Sequence, residues 1–281
     1  MTKRLKSALN ILLGRRSWPV PGTPKAYNLE DQVFQALVQP GDVVYDIGAN
    51  YGTTALFFAR LAGPRGQVAA FEPVLSTYVR MCQEIQLDTY EKAPICTFPM
   101  GLADSTGYRS IGVGSQSALA SLALSSSDSS ADTATVTESA LFTTLDEVVA
   151  TGRLRPPTLL KIDVEGAEML VFQGAGEVLR RVRPTIHVEV FAPWLRRFAL
   201  TPWDVLRFLR DCGYEFWFAC PAGLVKHAPT QEQPHPDAYV GGYNVICADP
   251  SRHGSVVARL AAVQYGASGI LPLHPPPMPN R

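Results

Sequence analysis

The residues from Val43 to Thr54 are typical of a buried strand, a glycine loop and a helix in direct succession. The first part, Val43-Val-Tyr-Asp-Ile47, is apolar enough for a strand that is covered on both faces of a sheet. Gly48 and Gly52 permit a tight turn and a close approach of the backbone to a ligand. Because ligands of open α/β sheets bind just outside the carboxyl ends of the strands, we expect a ligand beside Asp46 and this loop.

Strands and helices alternate through most of the chain, which predicts an α/β fold with a mostly parallel sheet and helices on both faces. The predicted strands lie at about 43–47, 67–72, 95–99, 158–163 and 185–190, and the predicted helices at about 29–39, 53–62, 75–87, 144–151 and 167–182. Two later strands at 214–219 and 243–247, separated by a loop at 220–242, are expected to form a terminal antiparallel pair. Thr144 and Glu147 have the spacing of a helix capping box.

Residues 112–139 interrupt this alternation, since they are rich in serine, alanine and threonine and lack strong periodicity. An insertion of this length after the third strand is typical of a lid or a binding loop, although a plain surface loop is the alternative. Within it we expect residues 121–124 to form a short strand that pairs with residues 135–137.

A second acid, Glu72, ends the second predicted strand, where such a residue commonly accepts hydrogen bonds from ribose hydroxyls. The loop between the two acids reads D-x-G-x-x-x-G, whereas a dinucleotide fingerprint reads G-x-G-x-x-G and holds a pyrophosphate. A carboxylate in front of the loop disfavours a pyrophosphate and favours a cation. The pattern therefore indicates S-adenosylmethionine (SAM), a nucleoside with a sulfonium and an ammonium, rather than a nicotinamide dinucleotide and an oxidoreductase.

Acidic side chains crowd the ends of the two strands that follow the insertion. Asp163, Glu165 and Glu168 follow one of them, and His187 and Glu189 lie on the same face of the next. Crowded carboxylates raise one another's pKa unless a cation intervenes, and Lys161, a sulfonium or a metal could be that cation. Asp163, Glu165, Glu189 and His187 are the candidate catalytic residues, of which Glu189 or His187 could act as the base. Asp163 and Glu189 are also candidate ligands for Mg²⁺.

The motifs Asp46-Ile-Gly-Ala-Asn-Tyr-Gly52, Phe71-Glu-Pro73, Gly101-Leu-Ala-Asp104, Thr144-Leu-Asp-Glu147 and Leu160-Lys-Ile-Asp-Val-Glu-Gly-Ala-Glu168 occur in this order. This set resembles that of FkbM-type SAM-dependent methyltransferases over about residues 30–250. The resemblance implies a Rossmann-like class I fold with a seven-stranded sheet, SAM as the cofactor, and O-methylation of a hydroxyl on a sugar, polyketide or other natural product. An N-methyltransferase and a non-catalytic protein that keeps the SAM fold are the alternatives.

The resemblance also implies where the cofactor would be held. Asp46, Gly48, Gly52, Glu72 and Asp163 are expected to contact it. Asp104 is expected to accept a hydrogen bond from the adenine amino group, with Leu102 packed on the ring, and Asn50, Tyr51 and Ser76 are secondary candidates.

Composition limits the partners and the surroundings of the chain. Of 281 residues, 25 are basic and 25 acidic, which gives no electrostatic case for nucleic acid and leaves a small-molecule acceptor as the expected partner. The 5 cysteines are dispersed and show no metal spacing, as expected for reduced thiols in the cytoplasm. No transmembrane segment is expected.

The chain divides into three parts by sequence. We expect a basic helical arm at 1–28 that packs on the domain or on a second subunit of a homodimer. The methyltransferase domain is expected at 29–250, with the insertion at 112–139 as its lid. A C-terminal helix and a proline-rich tail are expected at 251–281.

Overall fold

The structure, a computed structural model, describes residues 29–113, 120–121, 136–220, 223–236 and 244–261. The helices in these ranges are α1 (Leu29–Leu37), α2 (Thr53–Ala62), α3 (Leu75–Leu87), α4 (Leu145–Ala150), α5 (Glu168–Gln173), α6 (Ala192–Leu195), α7 (Pro202–Asp211) and α8 (Gly254–Ala261). A π-helical turn covers Val178–Val182, and a 3-10 turn covers Arg196–Phe198.

The strands of the same ranges form two sheets. They are β1 (Val43–Ile47), β2 (Gln67–Phe71), β3 (Ile95–Phe98), β4 (Gly101–Leu102), β5 (Gly107–Val113), β6 (Ala120–Ser121), β7 (Val136–Thr143), β8 (Leu159–Ile162), β9 (Thr185–Glu189), β10 (Glu215–Cys220), β11 (Gly223–His227) and β12 (Asn244–Ala248).

The larger sheet is mostly parallel with antiparallel strands at one end, as predicted. Within the described ranges it has 8 strands in the order β11-β10-β12-β9-β8-β1-β2-β3. The run from β9 to β3 is parallel, whereas β12, β10 and β11 join in antiparallel fashion. The sheet has one strand more than expected, because β11 lies in the segment that we expected to be a loop.

The two faces of the large sheet pack against different helices. One face contacts α1, α2 and α8 through residues that include Phe34, Phe57 and Leu260. The other contacts α5 and α7 through residues that include Phe172 and Leu206. Since the sheet is the middle layer, the carboxyl ends of its parallel strands emerge together at one edge, where ligands of such folds bind.

A smaller sheet, in the order β4-β7-β5-β6, contains strands from both ends of the predicted insertion. β7 occupies one edge of β5, with Val136 opposite Val113, and β6 occupies the other edge, with Ala120 also opposite Val113. The expected pairing of residues 121–124 with 135–137 is therefore wrong for their described residues, because β5 lies between Ser121 on one side and Val136 and Thr137 on the other. Most of the predicted lid, at 114–119 and 122–135, lies outside the described residues.

Predictions from local patterns are confirmed best near the glycine loop. β1, α2 and α3 have the predicted bounds, and the capping box of Thr144 and Glu147 is present. The predicted helix at 167–182 is instead divided into α5 and the π-helical turn. It breaks at Gly174, where an added Cβ would lie 1.9 Å from the carbonyl oxygen of Ala103.

The expectations for the two ends of the chain are tested only in part. The basic arm at 1–28, with its contact to a second subunit, and the proline-rich tail lie outside the described residues, whereas α8 accounts for the C-terminal helix. No helix in the described ranges is long and apolar enough to cross a membrane. The cysteines at 82, 96, 212, 220 and 247 are free thiols.

Candidate functional site

The loop between β1 and α2 packs directly against the loop that follows β8. Gly48 has a φ of +79°, and an added Cβ would lie 2.0 Å from the carbonyl oxygen of Asp163. The backbone N–H of Asp163 donates to the carbonyl oxygen of Ile47 at 3.1 Å, and the N–H of Gly48 donates to that of Phe71 at 3.1 Å. Only glycine fits this position, and the ends of β1, β2 and β8 are held together by it.

Lys161 on β8 lies between two carboxylates beneath this loop. Its Nζ atom is 3.3 Å from Oδ1 of Asp46 and 3.3 Å from Oδ2 of Asp163, and it donates to the carbonyl oxygen of Gly48 at 3.3 Å. Asp46 is fully buried, whereas 43% of the Asp163 side chain is exposed. Asp46 therefore faces an internal cation, and Asp163 is the carboxylate of the pair that reaches the surface.

The charges in this group determine its protonation. Burial raises the pKa of Asp46, and the charge of Lys161 opposes that effect. Burial alone would lower the pKa of Lys161, but Asp163 and Asp46 outweigh it, so the pKa of the lysine is raised. Lys161 is accordingly a permanent positive charge inside the domain.

Glu72 follows β2 and is held by the backbone of two loops. Its Oε2 accepts a hydrogen bond from the N–H of Asn50 at 2.9 Å, and its Oε1 accepts one from the N–H of Val74 at 2.9 Å. Burial raises the pKa of Glu72 to about 7, although these hydrogen bonds oppose the effect. Asn50 has a φ of +50°, and its side-chain Oδ1 is buried without a hydrogen-bond partner among the described residues. The pair therefore places acceptor oxygens between the ends of β1 and β2.

Carboxyl groups gather at the carboxyl ends of β2, β8 and β9. We call this group the acidic edge; it consists of Glu72, Asp163, Glu165, Glu168 and Glu189. Burial, followed by the charges of Asp163 and Glu189, raises the pKa of Glu165 to about 9. Burial also raises the pKa of Glu168 to about 8, against the effect of a hydrogen bond from the backbone of Gly166. Such a group holds protons at neutral pH and is suited to bind a cation.

Glu165 has further features of a functional residue. Its φ of +54° is rare for a residue other than glycine, and its Oε2 is buried with no hydrogen-bond partner in the described part of the chain. Strained backbone of this kind persists where the surrounding structure holds it, often at functional sites. The loop around it is fixed, because an added Cβ at Gly166 would lie 2.6 Å from the carbonyl oxygen of Trp194.

His187, a candidate base from the sequence, lies inside the domain. The strand registers place it in one row with Asp46 and Lys161, and 3% of its surface is exposed. Its ring meets that of Phe34 edge-on, with 4.9 Å between the centroids. Burial lowers the pKa of His187 to about 3, with the charge of Lys161 acting in the same direction. A neutral histidine in this position is typical of core packing, and we do not include it among the proposed bases.

The residues expected around adenine differ in their surroundings. Asp104 follows β4 and forms an ion pair with Arg109, whose hydrogen bond lowers the pKa of the aspartate. Leu102 is 2% exposed and belongs to the hydrophobic core. Ser76 is exposed in the first turn of α3. Their contacts to a cofactor stay predictions.

A magnesium site has no support from the side-chain geometry. In the ranges that the structure describes, no group of three or more histidine, cysteine, aspartate or glutamate side chains is placed to hold a metal ion. Asp163 and Glu189 therefore do not acquire a third ligand there, and Lys161 supplies the positive charge beside Asp163.

One cation beside the acidic edge was not anticipated from the sequence. Arg197 is exposed, its guanidinium lies 4.4 Å from the ring centroid of Trp194, and its charge lowers the pKa of Glu165. Arg197 follows the short helix α6, so its proximity to Glu165 depends on how that helix packs. No local pattern in the sequence indicates this contact.

Comparison with known proteins gives the family. A family model described as the methyltransferase FkbM domain matches residues 46–216, which is more than half of the chain. The chain belongs to the FkbM methyltransferase family. These residues therefore form a SAM-dependent methyltransferase domain, as the ordered motifs predicted.

Individual relatives of this FkbM protein are distant. Hexuronic acid methyltransferase AglP from Haloferax volcanii is 28% identical over 187 residues, which cover 65% of this chain and 68% of AglP. The solved FkbM methyltransferase from Methylobacillus flagellatus KT is 12% identical, with a TM-score of 0.45 over 77% of this chain. The match covers 50% of the length of that protein. A SAM-dependent O-methyltransferase from Thermotoga maritima is 14% identical, with a TM-score of 0.41 over 85% of this chain and 68% of that protein.

The residues at the ends of β1 and β2 fit SAM. The carboxylate of Glu72 and the unpartnered Oδ1 of Asn50 are hydrogen-bond acceptors, and the ribose hydroxyls and ammonium of SAM are donors. The acidic edge attracts a positive ligand and repels a pyrophosphate. Asp46 is fully buried against Lys161, so we expect it to act on a cofactor through the lysine and the loop at Gly48.

Proposed function

We propose that this FkbM protein transfers a methyl group from SAM to a hydroxyl of a small metabolite, with a sugar as the first acceptor class to test. The observation that carries the proposal is the acidic edge, where Glu165 has a pKa raised to about 9. A hydroxyl must lose its proton as it is methylated, and a carboxylate with a raised pKa is a stronger base than an ordinary one. The sugar is suggested by the distant relative AglP, whose name describes a hexuronic acid methyltransferase.

Each residue has a defined part in this proposal. When bound, SAM supplies a methyl group attached to a positively charged sulfur. Glu72 and Asn50 would hold the nucleoside, and Lys161 would keep the loop at Gly48 in place. Glu165 would take the acceptor's proton on Oε2 while the hydroxyl oxygen forms its bond to the methyl carbon and the bond from that carbon to the sulfur breaks, which leaves the sulfur neutral. Glu189 is the alternative base, because it is 6% exposed and its charge acts on Glu165.

The charge of the ligand would prepare the base. In the free protein Glu165 holds a proton at neutral pH, since its pKa is about 9. A positive charge placed beside the acidic edge lowers the pKa of neighbouring carboxyl groups. Binding of a cationic cofactor would therefore increase the fraction of Glu165 in the carboxylate form at neutral pH, while its pKa stays above that of an ordinary carboxyl group.

The test combines methyl transfer with one matched pair of variants. Purified protein is incubated with SAM carrying a ¹³C-labelled methyl group and with hexoses, hexuronic acids and small amines, and products are identified by NMR. We expect O-methyl sugars. We expect Glu165→Gln to lower kcat by roughly 10²–10⁴-fold while SAM affinity, measured by calorimetry, changes little. Glu177→Gln, at an exposed acid paired with Arg180 and Arg181, should leave both unchanged.

Other outcomes would separate the alternatives. Methylation of amines alone would favour an N-methyltransferase. SAM binding with no methylated product from any acceptor would favour a non-catalytic protein. An unchanged rate in Glu165→Gln would move the base to Glu189 or eliminate the proposed base mechanism, depending on whether Glu189→Gln is also active.

A further inference from the structure

A small cavity opens beyond the end of β9, on the side of the sheet that α7 covers. Its volume is about 150 Å³, and its walls include Phe191, Pro202, Leu206, Phe218, Val245 and His235. Leu206, Phe218 and Val245 are each 1% exposed, so they form a buried apolar floor. His235 is exposed and lies at the mouth.

The floor of the cavity is held by regular secondary structure. Val245 on β12 is opposite both Val188 on β9 and Phe218 on β10 in the strand registers. Leu206 belongs to α7, which begins with a capping box at Thr201 and Asp204. The floor therefore comes from two strands and a helix that are fixed by backbone hydrogen bonds, and this part of the cavity belongs to the fold.

A short series of contacts connects this cavity with the acidic edge. Phe191, in the cavity wall, lies two residues after Glu189, and its ring meets that of Trp194 with 6.1 Å between centroids. The guanidinium of Arg197 lies 4.4 Å from the centroid of the Trp194 ring, and its charge acts on Glu165. A molecule that places a hydroxyl at Glu165 would thus extend along Trp194 towards the cavity.

We propose that the cavity binds a compact apolar group of the methyl acceptor, about as large as a benzene ring. An enclosed apolar cavity of about 150 Å³ in another protein binds benzene, so this mostly apolar space, which is open at its mouth, has room for a group of that size. The inference rests on the proposed function and refines it: the acceptor carries a phenyl or short branched alkyl substituent beside its hydroxyl. A sugar hydroxylated at every position would leave the cavity empty.

The first experiment measures kcat/KM for methyl, propyl and phenyl glycosides of one sugar. We expect kcat/KM to rise about fourfold for each methylene that the cavity takes up. Val245→Phe, which fills the cavity, should reduce the phenyl-to-methyl ratio towards one. Leu224→Phe adds a ring on the other face of the sheet and should keep the wild-type ratio. Equal kcat/KM for the three glycosides, or an unchanged ratio in Val245→Phe, would overturn the proposal.

The second experiment does not depend on methyl transfer. Benzene is added to the wild-type protein and to both variants, and thermal unfolding is followed by circular dichroism. We expect benzene to raise the melting temperature of the wild type and of Leu224→Phe but not of Val245→Phe. No rise in the wild type would overturn the proposal. Benzene binding without methylation of any glycoside would support the cavity as an apolar binding site while contradicting the proposed function.

Discussion

Replacement of Glu168 by glutamine should make the protein markedly more stable at alkaline pH. Glu168 begins α5 and is 1% exposed. Its Oε1 accepts hydrogen bonds from the N–H of Gly166 at 3.0 Å and of Val164 at 3.4 Å, whereas Oε2 has no hydrogen-bond partner among the described residues. Glutamine keeps the acceptor oxygen and removes the charge, so the variant isolates the cost of ionising this buried group.

The magnitude follows from the pKa of Glu168, which burial raises from 4.5 to about 8. A carboxyl group whose pKa is higher in the folded state binds its proton more tightly there than in the unfolded chain. The penalty is therefore absent below pH 4.5, grows as the pH rises, and is complete above about pH 8. At roughly 1.4 kcal/mol per pH unit, it reaches on the order of 5 kcal/mol of unfolding free energy.

The assay is urea unfolding of wild type and Glu168→Gln at pH 5, 7 and 9. The stability advantage of the variant over the wild type should increase steadily with pH. In thermal unfolding at pH 9, the melting temperature of the variant should be about 10 °C above that of the wild type. Glu177→Gln is the control, because a hydrogen bond from Arg180 lowers the pKa of that exposed acid. It should show no such increase. Parallel stability curves for wild type and Glu168→Gln from pH 5 to 9 would refute the argument.

Two further predictions concern the loop at the end of β1. Lys161→Met should lower the unfolding free energy by roughly 3–5 kcal/mol, because it leaves the buried Asp46 without its cation. Adding Asp46→Asn to the same chain should restore part of this stability. If urea unfolding shows that none is restored, the pairing of the two residues is contradicted. Gly48→Ala should abolish SAM binding in calorimetry, since its Cβ would overlap the carbonyl oxygen of Asp163. Gly152→Ala is the control, because Gly152 has a φ of +65° and lies in open space. This control should lose only about 1–2 kcal/mol of stability and bind SAM normally. Equal SAM affinity in the two alanine variants would show that the close approach is not required.

Local sequence was sufficient for the parallel half of the fold. β1, α2 and α3 have the predicted bounds because apolar runs between glycine and proline leave few alternative structures. β5 was not predicted, since side chains such as Tyr108, which is 77% exposed, give it no continuous apolar face. Its pairing with β7 depends on residues about 30 positions away, which a local pattern does not register.

The candidate site, like the fold, could be predicted from the sequence only in part. Parallel strands bring their carboxyl ends to one edge, so the proximity of Asp163 and Glu189 could be expected from their positions alone, and the pKa of Glu165 responds to both. The burial of His187 against Phe34 and the approach of Arg197 to Glu165 could not be expected from the sequence, because each contact joins elements that are distant in sequence.

The order of acids, glycines and apolar runs was enough to predict the fold class, the family and the edge of the sheet at which the acidic side chains meet. Packing decided the pKa of each carboxyl group: Lys161 opposes the effect of burial on Asp46, while Glu165 and Glu168 are enclosed with other acids. The physical reason is that a pKa depends on solvent and charge within a few ångströms, and at this edge those neighbours come from separate strands and helices.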